Sequence, residues 1–589
     1  MRFVDHTRLH YLLVFSLAIL LYGNTLHHAF VLDDDAVIVR NTFVQQGAGG
    51  IKAIFSNDSF AGFERIGQGA SILEGGRYRP LSLAFFALIY ALSGPNPLPF
   101  HLFNILLYAI TGLILYRTMS VMFSKLNAGK GLALFTTALF LAHPVHTEVV
   151  ANIKSADEIL VLLFGLSAML CLLIAYDTGK KFQLWLSGAF MLLACLSKES
   201  AITFLITIPL VLWFFRKASL RWTGFYTIPL VLAAAVFLML RESVLGGLAA
   251  GTMMNDPLNN PFLQWDGQAW VPCSVFVKAA TILYTFWKYV WLIIIPFPLT
   301  HDYYPFHIAL QSFSSPAAVG GLILFVVFLL LGIMGLRRKA IEGYGILFFL
   351  LTLGLTANVL FPVGTFMAER FLFLPSLGLI LSIVLQGWKM AGVDKSRLIL
   401  VAGGIVVVVF SVMTVMRNQA WRDNETLLGT DVRYSPNSAK LQNDLGTIIL
   451  DKALKESDPA ARKLLLQEAL PHLQTANELH PTYYDAMLAY GACAYYAEQY
   501  PLSVDAYRKA SRLYPGDSKS STGLVYALQA LGKDQWVKGD TTIALKALRE
   551  AWTIQPDTAI ARQLSDYYMS VGQMELSKGW LARVRQGIR

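Results

Sequence analysis

Long apolar runs alternate with short polar loops as far as residue 416, and then the pattern changes. The runs lie near 10–29, 81–93, 100–123, 131–143, 157–176, 182–197, 200–215, 222–241, 276–296, 316–336, 342–361, 368–388 and 397–416. Runs this long and this poor in charge predict helices in a bilayer rather than core helices of a soluble domain. From 417 onward the chain reads as ordinary soluble sequence. The expected fold class is all-α: a polytopic helical membrane domain over 1–416, a linker over 417–435 and a helical repeat domain over 436–589.

Basic residues decide how many runs cross. Counting all thirteen turns Arg117, Lys125 and Lys130 outward, together with Lys180, Lys181, Arg216, Lys217 and Arg221. Placing 81–93 and 276–296 in the outer interface leaves eleven crossings. Those basic loops then face the cytoplasm, as do Arg337, Arg338, Lys339, Lys389, Lys395 and Arg397, as the bias of positive residues requires. The first of the two runs is short, and the second is interrupted by Lys288 and rich in Trp and Tyr. This topology puts the carboxyl-terminal domain outside. It also gathers the polar motifs of six loops on that side: Asp33–Asp35, His143–Glu148 with Asp157–Glu158, Lys198–Glu199, Asn255–Leu258, His301–Tyr304 and Glu369–Arg370.

The carboxyl-terminal region carries a repeat. Pro481 and Pro515 stand 34 residues apart, the period of a tetratricopeptide helix pair. Ala489, Tyr490, Gly491, Tyr495, Ala506, Tyr507 and Ala510 between them give the small-and-aromatic pattern that lets two helices nest. Units starting at Pro436 and Pro515 run 45 and 41 residues, and a last one passes through Tyr567, Tyr568 and Gly572. Four helix pairs are expected, forming a groove that binds an extended peptide or a partner protein, with a structural lid packed on the membrane domain as the alternative.

Composition agrees with a membrane chain, at 55% hydrophobic and 15% charged over 589 residues. That excludes a secreted globular enzyme, a disordered protein and a single-pass receptor. The net charge of +10 does not indicate nucleic acid, because 21 Lys and Arg face 19 Asp and Glu from 417 onward, and 27 face 19 before it. The excess sits in topology-setting loops. Cys171, Cys195, Cys273 and Cys493 have neither metal nor disulfide spacing. The run Tyr11–Leu26 follows Arg2 and Arg8 without a small-residue cleavage site, and is read as an uncleaved first span.

Candidate chemistry begins just after that span. Asp33, Asp34 and Asp35 are adjacent at a membrane boundary, where like charges raise at least one carboxyl pKa. Acidic residues set topology only weakly. A general base that takes a proton from an acceptor hydroxyl is the favoured reading, ahead of a metal site. Arg79, Lys198 and Arg370 end apolar runs on the outer side, where they could meet a headgroup phosphate; taken singly, each is equally a snorkelling charge. Glu199 and Glu369 form opposite-sign pairs with their sequence neighbours Lys198 and Arg370. His143, His146 and Glu148 resemble a metal cluster, but Pro144 lies between the histidines and no third strong ligand follows, so no metal site is assigned.

Taken in order, these motifs resemble one family. The Phe30-x-x-Asp33-Asp34 loop, Arg79-Pro-Leu, His101-x-x-Asn104, His143-Pro-Val-His146-Thr-Glu148 and Lys198–Glu199 look like its amino-terminal half. Asn255-Asp-Pro-Leu258, Asp302–Tyr303, Glu369-Arg-Phe-Leu-Phe-Leu-Pro-Ser376 and the repeats continue the likeness. It is similar to the transmembrane and tetratricopeptide-repeat-containing O-mannosyltransferases and their bacterial relatives, of the GT-C fold. The resemblance implies an inverting transfer of a hexose, mannose, from a polyprenyl-phosphate donor to Ser or Thr hydroxyls. It implies an acidic base in the first outer loop, matched by Asp33 and Asp34, with Asp35 an extra acid. It also implies a lipid-linked sugar as donor and a protein acceptor, with no cofactor assigned. The expected location is a bacterial inner membrane with the repeats in the periplasm, or an endoplasmic reticulum membrane with them in the lumen. The alternatives are a repeat scaffold for envelope assembly with a membrane anchor, and a transporter. A scaffold needs one span, and the runs show no broken-helix pairs or inverted repeat.

Overall fold

The computed structural model describes residues 7–63, 76–126, 129–246, 256–303, 307–391 and 396–586. Arg2, Asn255, Tyr304 and Lys395, named above, lie outside the described residues. The chain forms two compact units; the second comprises the residues from Ser435 onward together with His307, and the first comprises the other described residues up to Tyr434.

Among the described residues of the first unit, seven helices are long and apolar enough to cross a bilayer. They are Pro97–Met122, Ile153–Thr178, Leu220–Leu245, Val275–Ile294, Pro316–Arg338, Glu369–Met390 and Val401–Arg422. Thr7–Tyr22 and five further apolar helices are shorter. Gly129–Ala142 has 14 residues, about 21 Å of helix against a hydrocarbon core of about 30 Å. Pro80–Ser93 is equally short. Val275–Ile294, expected in the interface, is long enough to span, while Lys288 and Trp287 interrupt its apolar surface. The chain is a multi-pass membrane protein.

The helices pack through small residues, since lipid offers no hydrophobic drive between them. A Cβ on Gly345 would lie 2.3 Å from the Gly378 carbonyl oxygen, so Ile341–Gly354 and the helix containing Gly378 touch backbone to backbone. Ile153–Thr178 lies mostly inside the bundle, whereas Pro316–Arg338 and Val401–Arg422 expose most of their length. The buried polar residues gather at the ends of the inner helices and in the loops that join them.

Among the described residues the second unit is a row of eight helices: Ala439–Lys455, Pro459–Leu479, Tyr484–Tyr496, Tyr500–Leu513, Ser518–Val537, Thr541–Ile554, Thr558–Ser570 and Met574–Gln586. They pack in consecutive pairs. Gly446, Gly491 and Gly532 in the first helices receive Leu473, Tyr507 and Leu548 from the second. Asp458, Asp517, Asp540 and Asp557 accept hydrogen bonds from the first-turn amides of the helices they precede, which fixes where each begins.

Candidate active site

The three acids of the loop after the first helix have separate fates. Leu32 adopts a left-handed backbone (φ +49°), which few non-glycine residues hold without support. Support comes from Asn424, whose Oδ1 accepts from Leu32 N–H at 2.9 Å. The turn points Asp34 inward, where it is fully buried. Its Oδ2 accepts from Val31 N–H at 3.0 Å and its Oδ1 from Lys154 N–H at 2.7 Å. Burial pushes the Asp34 carboxyl up to about 7, and the two amides offset only part of that rise. Asp33 points outward with a side chain 53% exposed, and Lys154 Nζ lies 3.3 Å from its Oδ2. Asp35 turns to Arg40, whose Nε donates to it at 2.5 Å.

The cations expected from sequence are all present at the same end of the helices, but their partners are not their chain neighbours. Arg79 donates from Nε to Glu199 at 3.0 Å and from Nη1 to Asp157 at 2.9 Å. Burial disfavours its charge, yet Glu199 and Asp157 together hold its pKa above the usual arginine value. Lys198 pairs with Glu158 and lies 3.9 Å from Asp157. Arg370 donates to Glu148 Oε1 at 2.5 Å. Lys198–Glu199 and Glu369–Arg370 are therefore not internal pairs. Extended backbone at Lys198 (φ −163°, ψ 146°) sends consecutive side chains to opposite sides. A cleft beside these residues is lined by Ser59, Arg77, Arg79, Ser82, Lys154 and Asp157, with apolar side chains from Val37 to Phe86.

The histidines serve as posts. His143 Nε2 meets the Ile293 carbonyl at 2.8 Å, and its Nδ1 accepts from Val145 N–H at 3.2 Å. His146 lies 2.9 Å from Ser376 Oγ and 3.2 Å from the Tyr108 hydroxyl. Both rings are buried, and they fix the segment that carries Glu148. Among the described residues no three His, Cys, Asp or Glu side chains gather as a metal-binding group. Glu369 is buried and faces Thr300 and Tyr303, and Asp302 is buried in the same segment.

Sequence reading missed Lys154, the residue that joins Asp33 to Asp157 and the cleft. Its signal was an unmatched cation between the polar motifs at 143–148 and 157–158. It also missed Arg417 and Asp431, both assigned to a linker. Arg417 Nη1 and Nη2 donate to Asp431 at 2.5 and 2.9 Å, a two-pronged pair.

Residues 79–240 match the family described as dolichyl-phosphate-mannose-protein mannosyltransferase. That segment contains Arg79, the histidine motif, Lys154, Asp157, Lys198 and Glu199; Asp33 and Arg370 lie outside it. The chain is 27% identical over 454 residues to Protein O-mannosyl-transferase F38B6.6 of Caenorhabditis elegans, covering 75% of this chain and 60% of that one. It is 27% identical over 512 residues to Protein O-mannosyl-transferase TMTC1 of Homo sapiens, covering 80% of this chain and 55% of the relative. The chain thus spans a little over half the length of these curated relatives. Among solved structures, the crystal structure of MamA aligns with 27% of this chain and 84% of its own at 17% identity, with a TM-score of 0.21, too low to carry an assignment. By the matched segment, and by the identity along three quarters of the chain, this protein is similar to the dolichyl-phosphate-mannose-protein mannosyltransferases and to the protein O-mannosyl-transferases named above.

Proposed function

We propose that this protein is a glycosyltransferase that moves mannose from a polyprenyl-phosphate donor to Ser or Thr hydroxyls of proteins. The observation that carries the reading is Asp33, an outward-facing carboxylate 3.3 Å from Lys154, which itself lines a cleft with Arg77 and Arg79. In the proposed step the acceptor oxygen attacks the sugar C1 and the bond from C1 to the phosphate oxygen breaks. The hydroxyl proton passes to Asp33, and the lipid phosphate leaves. A phosphate leaving group needs little protonation, so one base suffices. A single displacement inverts the anomeric centre.

Asp33 rather than Asp34 is the proposed base, because both oxygens of Asp34 already accept backbone amides. Arg370 is the chief phosphate-binding cation, with a side chain 31% exposed; Lys154 assists. Arg79 and Lys198 are more enclosed and hold the acids in place. The helix-pair unit delivers the acceptor as an extended peptide, on the outer side of the membrane. The family match and the names of the relatives support mannose and a protein acceptor.

The test is reconstitution of the purified full chain in liposomes with polyprenyl-phosphate mannose and Ser- or Thr-containing peptides, read by mass spectrometry. A hexose added to wild-type reactions and absent with Asp33→Asn is the expected result. Transfer at the wild-type rate by Asp33→Asn rules out this base. No transfer by wild type to any peptide or envelope protein rules out the function.

A further inference from the structure

The loop after helix Val275–Ile294 ends in Thr300, His301, Asp302 and Tyr303, and it is tied in two directions. On one side Glu369 Oε1 accepts from Thr300 N–H at 2.5 Å and from the Tyr303 hydroxyl at 3.0 Å. Glu369 Oε2 is buried without a hydrogen-bond partner, so this loop is its hydrogen-bonding hold. On the other side Asp431 Oδ2 accepts from His301 N–H at 2.7 Å and lies 2.8 Å from His301 Nδ1. Asp431 is fully buried and also takes both prongs of Arg417. Removing one member of such a buried network leaves its remaining partners uncompensated.

Glu369 is the chain neighbour of Arg370, whose N–H donates to Glu148 at 2.7 Å. A continuous path therefore runs from Asp431 through His301 and its loop to Glu369 and Arg370. We infer that Asp431 is a positioning residue: through His301 and Glu369 it sets where Arg370 stands. The inference rests on the reading above that Arg370 meets the donor phosphate. Asp431 itself touches no cleft-lining residue named here.

The experiment compares wild type, Asp431→Asn, Glu369→Gln and the double variant as full chains in detergent, with polyprenyl-phosphate mannose and a Ser/Thr peptide. Asp431→Asn is expected to raise the donor KM about tenfold, the scale of coupling between residues of one network, and to leave the acceptor KM unchanged. A mere loss of folded protein lowers apparent kcat and moves neither KM. The double variant should be no worse than the weaker single one. Hydrogen–deuterium exchange supplies a readout independent of turnover: uptake across 368–372 should rise in Asp431→Asn. His301→Gln breaks the same path and replaces Asp431→Asn if that variant does not fold. An unchanged donor KM, multiplying losses in the double variant, or unchanged uptake across 368–372 overturns the inference. If wild type transfers no sugar, the proposed function fails, and exchange across 368–372 still decides the positioning role.

Discussion

Glu148 grips Arg370 twice, through Oε1 to the guanidinium at 2.5 Å and through Oε2 to the backbone N–H at 2.7 Å. One carboxylate thus fixes both the head and the root of the cation proposed to meet the leaving phosphate. Arg370→Ala should lower turnover by about two to three powers of ten, as for loss of one preorganised electrostatic donor. Glu148→Gln keeps one acceptor oxygen and should give a smaller loss in the same assay. Near wild-type turnover in a correctly inserted Arg370→Ala protein removes this residue from the site.

Asp33 and Asp34 should separate cleanly. Asp33→Asn is expected to abolish transfer with little change in melting temperature. Asp34→Asn forces an amide N–H against one of two backbone donors, and should lower the melting temperature before it touches chemistry. Equal melting and unequal activity in the opposite sense would exchange their roles.

Acidity offers a second handle on Asp34. Its carboxyl is raised from 3.8 to about 7 by burial, so the folded state favours the protonated form. Its contribution to stability is complete below pH 3.8 and is lost as pH rises through about 7. Thermal melting of Asp34→Asn should therefore depend less on pH across that window than melting of wild type. Parallel profiles would show that Asp34 does not titrate there.

Arg79 is predicted to be chiefly structural. Arg79→Ala strands Glu199 and Asp157, and breaking a buried pair from one side costs about 3–5 kcal/mol. Poor insertion or a large loss of melting temperature is expected. Arg79→Lys retains charge without the fork and should restore only part of it. Normal stability with a raised donor KM would return Arg79 to the phosphate.

Topology has its own check. The proposed topology, with the basic loops inside, puts the second unit outside. Alkaline phosphatase fused after Arg589 should be active, and activity of a cytoplasmic reporter there overturns the assignment.

The broad architecture was legible because it rests on local pattern. Apolar runs mark helices wherever they occur, and Pro481 and Pro515 punctuate a helix pair at its own period. The partners of the charges were not legible. Lys198 finds Glu158 and Arg79 finds Glu199, 40 and 120 residues away, and only packing decides such meetings. Adjacent opposite charges suggested pairs, which extended backbone at Lys198 separates in one case and the meeting of Arg370 with Glu148 in the other. Asp33 and Asp34 could not be told apart by residue type; the left-handed turn at Leu32 separates them. Asp431 was taken as linker because nothing local distinguishes a buried acid from a solvated one.

The crossed pairing of the acids also bears on how the protein is made. Asp157 and Glu158 head a helix that leaves the ribosome before Lys198 exists. Arg79 precedes them in the chain, but its second partner, Glu199, comes later still. Asp157 has Arg79 from the start, but Glu158 pairs with Lys198. A carboxylate at the mouth of a bilayer helix is costly without a cation, so this end of the helix is expected to stay at the aqueous surface until the Lys198 turn arrives. Synthesis order then makes the 198–199 turn a latch. The amino-terminal half of the charged cluster closes only when that turn is delivered, and chains truncated before it should be handled by the cell as incompletely inserted protein.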